Sequence, residues 1–393
     1  MYQLSKPTQE LIKKYEDWNR SSEPKENTST IHVDEVASKL AVFYEKIRGI
    51  IDWKEEHLLR TGAIERTLKR KIFSKLNINT GNFSNENVAE PFVFELIRGG
   101  IFPNDKIEES KIQAIQKILD KYIHIINNSP QDMPRIRLCN WILSIAACEI
   151  EEAMGESEKE NALIDFMFQF LKEKIAIKGM SEKAALSGEE INIQLYIATQ
   201  RALFKLDSPA ISYRLIKYKY KDWSNIAEDK ILLISKDIYA VQEKIEKDLN
   251  HFLADKFYKV CEKYDAPFLL LGDIISENQK EIREKLSDPK ALEILARKAY
   301  ALRLKGLSRR LKRAAIYATI SIFVTKILLA LAVEIPLDKY IFGNFNFLAI
   351  GIDALFPPLL MFILIATIKP PREGNFNVLL LELIKIVFLQ KNN

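Results

Sequence analysis

Two long apolar runs stand near the end of the chain, at 314–333 and 347–368. An α-helix rises about 1.5 Å per residue and a bilayer core is about 30 Å thick, so an apolar run of about 20 residues can just cross it. The alternative is a pair of buried core helices in a large soluble protein, but such helices are usually shorter and more interrupted. The pattern therefore predicts a two-helix transmembrane hairpin over 309–372.

Basic residues are concentrated on the same side of both apolar runs. They precede the first run and follow the second, at Arg309, Arg310, Lys312, Arg313, Lys369 and Arg372. The connection between the runs carries a single basic residue, Lys339. Segments rich in Lys and Arg stay in the cytoplasm, so we expect both termini there and the connection outside. The first 20 residues contain no apolar segment typical of an export signal. We therefore predict a multi-pass protein of the cytoplasmic (inner) membrane.

Apolar residues recur at steps of three and four along most of the remaining chain, which is the period of an amphipathic helix. One stripe runs over 33–50 and shifts into another over 58–72. A later stripe from Ala227 to Phe252 predicts one helix over about 224–264, with or without a kink near His251. No segment alternates apolar and polar residues for long enough to predict a strand. The sequence predicts an all-α fold: a multi-helix cytoplasmic bundle with long heptad-like helices and coiled-coil-like packing, followed by the hairpin.

Polar breaks containing Pro, Gly or Asn divide the chain into five predicted segments. These are a mobile N-terminal arm over 1–30, a first helical block over 31–205, a second helical block over 206–308, the hairpin over 309–372 and a short amphipathic C-terminal helix over 373–393. A helix docked loosely on the body is the alternative for the N-terminal arm. Two helix starts are clear, Asp207-Ser208-Pro209 and Ser287-Asp288-Pro289, because a capping side chain precedes a proline in the first turn. The second of these helices can continue directly into the first apolar run. The C-terminal helix is expected at the membrane interface or on the soluble body.

Composition argues against several functional classes. A net charge of +5 over 393 residues does not indicate nucleic-acid binding by the whole chain. Three cysteines, Cys139, Cys148 and Cys261, give neither a disulfide framework nor a zinc pattern. The motifs G-x-x-x-x-G-K-[ST], G-x-G-x-x-G, G-x-S-x-G and H-E-x-x-H are all missing from the sequence. The four histidines are scattered and form no E-x-x-H pair. We therefore expect a non-enzymatic protein without a cofactor or metal.

Two local clusters could carry chemistry, although each has a simpler interpretation. Cys148 lies beside three carboxylates, Glu149, Glu151 and Glu152, which could contribute to a metal site if further ligands came from elsewhere. We favour a small core cysteine next to a solvated acidic helix end. The segment Y-R-L-I-K-Y-K-Y-K over 213–221 could bind single-stranded nucleic acid through charge and stacking. We favour a helix end whose tyrosines pack inward while the lysines stay hydrated, so nucleic acid is an unlikely partner.

The basic run before the first apolar segment is the best-supported functional surface. Between 297 and 313 the chain has no Asp or Glu and eight cations: Arg297, Lys298, Arg303, Lys305, Arg309, Arg310, Lys312 and Arg313. Next to a membrane span, each such charge attracts anionic headgroups by roughly 1 kcal/mol. A topology signal alone would explain the last four charges but not the four nearer the body. We therefore predict that these eight residues bind anionic lipid headgroups.

Each apolar run also contains one ionisable residue, Lys326 in the first and Asp353 in the second. A charge inside a span costs about 2.5–3.5 kcal/mol on insertion scales, so it is rarely left without a partner. Both residues stand at similar distances from the connection and reach the same depth in an antiparallel hairpin. This predicts an intramembrane ion pair between Lys326 and Asp353. Two separate charges that line a polar pathway are the alternative, and Pro357 and Pro358 near Asp353 keep that alternative open.

Taken together, these features predict a membrane-anchored helical scaffold or adaptor that holds partners at the cytoplasmic face of the membrane. The alternative is a subunit of an oligomeric membrane transport or envelope-assembly complex. An enzyme whose site has no recognisable motif is a third possibility, which a deep pocket with converging polar side chains would favour. A protein partner or further copies of the chain are expected in either of the first two cases.

Overall fold

The structure is a computed structural model that describes residues 3–22, 29–33, 56–75, 82–84, 87–130, 135–154, 157–175, 187–277, 281–329, 332–333, 335–337, 347–367 and 374–388. Helices account for nearly all of the regular structure in these ranges, and the only extended pairings there are two isolated bridges. The predicted all-α helical bundle is therefore confirmed.

The described residues form sixteen α-helices longer than one turn. The first eight are α1 (Lys6–Ser22), α2 (Glu56–Phe73), α3 (Ala89–Arg98), α4 (Ser110–Asn127), α5 (Arg135–Met154), α6 (Ser157–Lys174), α7 (Gly188–Phe204) and α8 (Ser208–Lys219). A 3-10 turn (Trp223–Asn225) separates them from α9 (Glu228–Lys236), α10 (Ile238–Leu249), α11 (Ala254–Glu262), α12 (Asp265–Glu277), α13 (Ile282–Ser287), α14 (Pro289–Leu329), α15 (Phe347–Ala366) and α16 (Gly374–Val387). A single helical turn at Ile335–Leu337 lies between α14 and α15.

One hydrophobic core runs through both predicted helical blocks, with members from Leu4 to Phe388. Helix α5 lies at its centre and packs against α2, α4 and α8. Most side chains between Leu138 and Ile150 are buried, as the apolar composition of this segment predicts. Burial on all sides explains the absence of a simple amphipathic pattern in α5, because a helix surrounded by others needs no polar face.

Both predicted helix starts are confirmed. The Asp207 side chain accepts a hydrogen bond from the Ala210 amide at 3.1 Å and caps α8. At the start of α14, the Asp288 carboxylate accepts one from the Lys290 amide, also at 3.1 Å. From Pro289 the helix continues for 41 residues into the first apolar run, as the sequence predicts. Such side-chain caps satisfy amide groups that the first helical turn leaves without a partner.

The helix predicted over about 224–264 is partly wrong: the kink allowed near His251 coincides with a break between two helices, but a second break was not predicted. The structure divides this segment into α9, α10 and α11, with breaks at Asp237 and at residues 250–253. Most of the apolar stripe is still buried, but Phe252 is 71% exposed. The reason lies in the packing partners: α9 packs on α4, whereas α10 and α11 pack on α7. A stripe shared between two partners is satisfied by short helices with different directions, which heptad spacing alone does not reveal.

The long helices therefore do not form a coiled coil in the described part of the chain. The helix predicted over 33–50 lies outside the described residues except for Val33, which is buried. The other candidate is divided as above. The helical bundle is held by a shared core in place of one long two-helix seam.

Helix α1 in the N-terminal segment packs on the body, which is one of the two arrangements that the sequence allows. Leu11, Ile12 and Tyr15 of α1 are buried against the rest of the core. The two ends of the described chain also bind each other. The Ser5 amide donates to the Val387 carbonyl at 2.9 Å, and the Thr8 hydroxyl donates to the Ile386 carbonyl at 3.3 Å. We call these contacts between α1 and the end of α16 the terminal clasp.

The C-terminal helix α16 is amphipathic, as predicted. Its inner face buries Phe376, Leu383 and Ile386, and it packs against α12 and α14. Of the two positions that the sequence allowed, the structure thus favours packing on the body. The outer face exposes Val378 and Leu381.

Helix α14 leaves the body after Ala299, its last buried residue among the described side chains. Its distal half packs against α15. Within the part of the chain that the structure describes, no helix combines the length and the apolar character that crossing a membrane requires.

Candidate functional site

All eight cations of the predicted lipid-binding run are exposed on α14, but they fall into two groups. Those nearest the body have carboxylate partners: Arg297 with Glu293 at 3.2 Å, Lys298 with Glu277 at 3.8 Å, and Arg303 with Asp273 at 3.0 Å. Arg297 also lies over the Phe376 ring, 4.6 Å from its centroid. These contacts fasten α14 to α12 and α16. The fold therefore accounts for three charges that the topology signal left unexplained.

The second group points away from the body. Lys305, Arg309 and Lys312 are spaced at i, i+4 and i+7, so they share one face of α14, and Arg313 borders it. We call these four residues the basic stripe. None has a carboxylate partner among the described side chains. Exposed ammonium and guanidinium groups of this kind stay hydrated and can bind a polyanionic surface.

The face that carries the basic stripe becomes apolar further along α14. Ile316, Ile320 and Phe323 follow at the same helical phase, and all three are exposed. Arg310 lies on the opposite face of the helix. A single helix surface thus presents hydrated cations first and apolar side chains immediately afterwards.

The acidic cluster at the end of α5 is buried, which corrects the expectation of a solvated helix end. Glu149 is 3% exposed and binds Lys121 of α4 through both carboxylate oxygens, at 2.6 and 2.8 Å. The same carboxylate accepts hydrogen bonds from the Tyr122 hydroxyl at 2.7 Å and the Trp223 indole at 3.1 Å. Lys121 also donates to the Trp223 carbonyl at 3.0 Å and lies 4.9 Å from the indole centroid. We call Lys121 and Glu149 the buried pair.

Two effects act in opposite directions on the pKa of Lys121. Burial lowers the pKa of Lys121, because the charged ammonium loses its hydration, while the Glu149 charge and hydrogen bond raise it. The three donors on Glu149 and the two acceptors around Lys121 compensate the lost water. Burial also raises the pKa of Tyr122 well above its usual value, so its hydroxyl stays protonated and donates to Glu149.

The neighbouring carboxylates each have their own cation. Glu152 accepts from Lys217 at 2.7 Å and also from the Tyr213 hydroxyl. Burial raises the pKa of Glu152, but the Lys217 charge and these hydrogen bonds together bring it below its usual value. Glu151 lies 3.8 Å from Arg60. The first pair connects α5 to α8, and the second connects α5 to α2.

A metal interpretation of this cluster finds no support. The described residues contain no group of three or more His, Cys, Asp or Glu side chains arranged for a metal ion. Cys148 is buried and donates its S–H to the Ser144 carbonyl at 3.3 Å. Burial raises the pKa of the Cys148 thiol well above its usual value, which suits a neutral core side chain.

The aromatic and basic segment 213–221 is divided between core and surface. Tyr213 and Lys217 point to Glu152, and Arg214 lies 3.8 Å from Glu160. Tyr218 is exposed, and Tyr220 stacks near Trp223. Stacking with single-stranded nucleic acid requires cations and rings on one open surface. This arrangement favours the helix-end interpretation, although Lys217 is half-buried and bound, not hydrated.

The predicted intramembrane pair is only partly within the described residues. Lys326 lies near the end of α14, on the half-buried side that faces α15. The side chain of Asp353 in α15 lies outside the described side chains. The pair therefore stays a prediction. Of the histidines, His32 contacts Asp105 at 2.8 Å, while His124 and His251 stand on separate helices or turns.

The buried pair is the feature that the sequence analysis missed. Its signal is a lysine inside an apolar helix face: Lys121 follows Ile118 and precedes Ile125, one turn away on either side. A cation at such a position needs a buried anion, and Glu149, within the buried central helix α5, is the obvious partner. The two residues are 28 positions apart in the sequence, so only the packing of α4 against α5 brings them together.

No family model, no curated protein and no solved structure matches this chain. Function must therefore be argued from the geometry above.

We expect Glu149→Gln to lower the free energy of unfolding by about 3–5 kcal/mol, because it leaves the Lys121 charge buried without a counter-ion. The double variant Lys121→Met/Glu149→Gln should recover more than half of that loss, since glutamine can still accept from Tyr122 and Trp223. Denaturant unfolding of the purified chain measures both. Arg20→Gln, which removes the exposed Arg20–Asp17 pair, is the control and should cost less than about 1 kcal/mol. Equal losses for Glu149→Gln and Arg20→Gln would contradict this account.

Proposed function

We propose that this protein is a membrane-anchored helical scaffold that holds partner proteins at the cytoplasmic face of a cytoplasmic membrane. The anchor is the two-helix hairpin over 309–372, with spans at about 314–333 and 347–368. The sequence runs carry the length argument, since no helix of described residues meets the requirement for a span. The body supplies a rigid helical surface for partners, which are other proteins or further copies of this chain.

The observation that carries the proposal is the concentration of exposed apolar side chains on α14 and α15. More than half of the large exposed hydrophobic side chains of the described chain lie between residues 316 and 363. They are Ile316, Tyr317, Ile320, Phe323, Val324, Leu328, Leu329, Val333, Leu337, Ile352, Leu355, Phe356, Leu359, Leu360, Phe362 and Ile363. At roughly 100 Å² each, they form an apolar surface on the order of 1,500 Å², whereas the largest patch on a soluble monomer is about 300–600 Å².

The hydrogen bonds of the threonine hydroxyl groups in the same region are compatible with an apolar environment. Thr319 donates to the Ala315 carbonyl at 2.9 Å, and Thr325 donates to the Ser321 carbonyl at 2.8 Å. In hydrocarbon a hydroxyl cannot bind water, so it must find a partner within the protein. Donation to the carbonyl four residues earlier provides that partner without a second helix.

The basic stripe stands where the polar part of α14 meets its apolar part. Cations at such a boundary attract anionic headgroups and favour the cytoplasmic side. Because Arg297, Lys298 and Arg303 are already bound to carboxylates, lipid binding is now assigned to Lys305, Arg309, Lys312 and Arg313.

A scaffold suits the body better than an enzyme does. Lys121 and Glu149 bind one another in the core, and the half-buried Glu152 binds Lys217. Catalytic groups normally face a cavity where a substrate can reach them. Ion pairs that are fully used inside the bundle instead fix one arrangement of helices.

Membrane anchoring and orientation can be tested in one experiment. Single cysteines at Asn27 and Asn393 should resist a membrane-impermeant thiol reagent in intact cells, while one at Asn344 should react, because the connection is expected outside. The native cysteines Cys139, Cys148 and Cys261 are buried and should stay silent. The chain should stay in the membrane fraction after a carbonate wash. Release by carbonate would disprove the anchor, and labelling of Asn27 or Asn393 in sealed cells would disprove the orientation.

Replacing the basic stripe with glutamine should lower the amount of anionic phospholipid that co-purifies with the full chain in mild detergent. Each charge contributes roughly 1 kcal/mol near an anionic surface, so the loss should be large and should resemble the effect of high salt on the parent. The control is Arg297→Gln/Lys298→Gln, which removes two cations that already have carboxylate partners. Unchanged lipid retention in the stripe variant would reduce the stripe to a topology signal.

The transport or assembly alternative rests on Lys326 and Asp353, the two ionisable residues within the apolar runs. If they pair, then Lys326→Asp or Asp353→Lys should lower membrane accumulation, and the double swap should restore it, because the pair is re-formed with reversed polarity. Quantitative immunoblotting of membrane fractions measures this. If both single variants insert normally and the double variant shows no rescue, the residues act separately, and the pathway alternative gains support.

A further inference from the structure

A cleft of about 510 Å³ opens on the side of the body, between α1 and α6 and beside the middle of α7 and the end of α8. Its size falls within the range of about 300–1,000 Å³ that is typical of small-molecule sites. Nothing in the membrane proposal uses it. Its floor consists of aromatic side chains, Phe166, Phe168, Tyr196 and Tyr218.

The aromatic rings form a connected floor. Phe168 and Tyr196 meet edge to face, with centroids 5.3 Å apart, and Tyr196 lies 5.4 Å from Tyr218 at an angle of 31°. Phe168 is buried, whereas Tyr218 is 44% exposed and presents its ring to the opening. The face of an aromatic ring carries negative electrostatic potential and attracts cations.

The charged side chains that line the cleft are Glu10, Lys14 and Asp165, which leaves one net negative charge, while Lys172 lies nearby, 6.0 Å from the Phe168 ring centroid. Lys14 and Asp165 form an ion pair at 3.1 Å and offset one another. Glu10 also lines the cleft and has no partner among the described side chains. The hydroxyls of Tyr196 and Tyr218 likewise make no hydrogen bond within the described chain, so their oxygen atoms can accept from a ligand.

The walls of the cleft are already in place. Helix α1 forms one wall through Pro7, Glu10 and Leu11, and the terminal clasp holds the start of this helix. Tyr15, further along α1, is buried in the core and donates to the Lys159 carbonyl at 3.4 Å. A preformed site loses little conformational entropy when it binds a ligand.

From these observations we propose that the cleft binds an organic cation, an alkylated ammonium or a guanidinium group, through the tyrosine rings and Glu10. The cation would lie over Tyr218 with Glu10 as its counter-ion. An anionic ligand would meet Glu10 and the negative ring faces while Lys14 is already neutralised by Asp165. A purely apolar ligand would leave two tyrosine hydroxyls and a carboxylate without partners. This inference does not rest on the membrane anchor.

The test compares cations with a neutral molecule of the same shape. The full chain in detergent micelles is titrated by calorimetry with choline, with arginine amide and with 3,3-dimethylbutan-1-ol, which replaces the choline nitrogen by carbon. Both cations should bind, and the neutral alcohol should bind at least about fivefold more weakly, because only a cation gains from the rings and the carboxylate. Tighter binding of choline than of arginine amide would assign the site to small ammonium compounds, and the reverse order to a basic side chain of a partner protein.

Variants locate the binding. Tyr218→Leu keeps an apolar side chain but removes the ring and should weaken cation binding by about three- to tenfold. Glu10→Gln should weaken it by about two- to fivefold, more at low salt than at high salt. The matched control, Glu90→Gln, removes an exposed carboxylate on α3 and should leave binding unchanged. Circular dichroism checks that each variant keeps its helix content.

Three results would overturn the proposal. They are an absence of binding by both cations at their solubility limit, equal binding of choline and 3,3-dimethylbutan-1-ol, and cation binding that Tyr218→Leu and Glu10→Gln leave unchanged in folded protein.

Discussion

The buried pair of Lys121 and Glu149 is the constraint on which the body depends. It joins α4 to α5, and Trp223 attaches the turn after α8 to the same two side chains. Two opposite charges in the core are tolerated only when every remaining donor and acceptor around them is satisfied, and here the indole, a phenol and a backbone carbonyl complete the set. A small shift of any of these elements would leave a charge without a partner. The pair therefore selects one relative position for the helices that meet there, which apolar contacts alone do not specify.

Local signals in the sequence predict much of this fold. Helix starts at Asp207 and Pro289, the central apolar helix α5 and the continuation of α14 into the apolar run all follow from capping, proline placement and apolar content. These signals act within a few residues, so they do not depend on the rest of the chain. The break between α9 and α10 could not be predicted in this way. It depends on α4 and α7 being separate partners, and that information lies in the three-dimensional packing.

The same limit applies to the candidate sites. The cations of α14 are visible in the sequence, but their division into bound and available groups is not, because Glu277 and Asp273 come from α12, more than 20 residues earlier. The cleft joins Glu10 and Tyr218, which are far apart in the sequence, so residue spacing does not reveal it. The acidic end of α5 looked solvated because carboxylates usually are, and only the positions of Lys121, Lys217 and Arg60 show why these are not.

The terminal clasp connects the α14–α15 segment to the rest of the body. Helix α14 leaves the body after Ala299, and α16 returns to the body at Phe376, which packs against Tyr300 at 5.5 Å between ring centroids. The hairpin is thus attached at both of its ends, and α16 is then bound to the start of α1 through Ser5 and Thr8. Because α1 also forms a wall of the aromatic cleft, the cleft and the hairpin are attached to the same clasp. These contacts connect α14 to α16, α16 to the start of α1, and α1 to the cleft. A displacement of α14 would therefore be passed to the cleft through α16 and α1. In the membrane-anchored scaffold that we propose, this connection would hold the cleft in a fixed relation to the anchor.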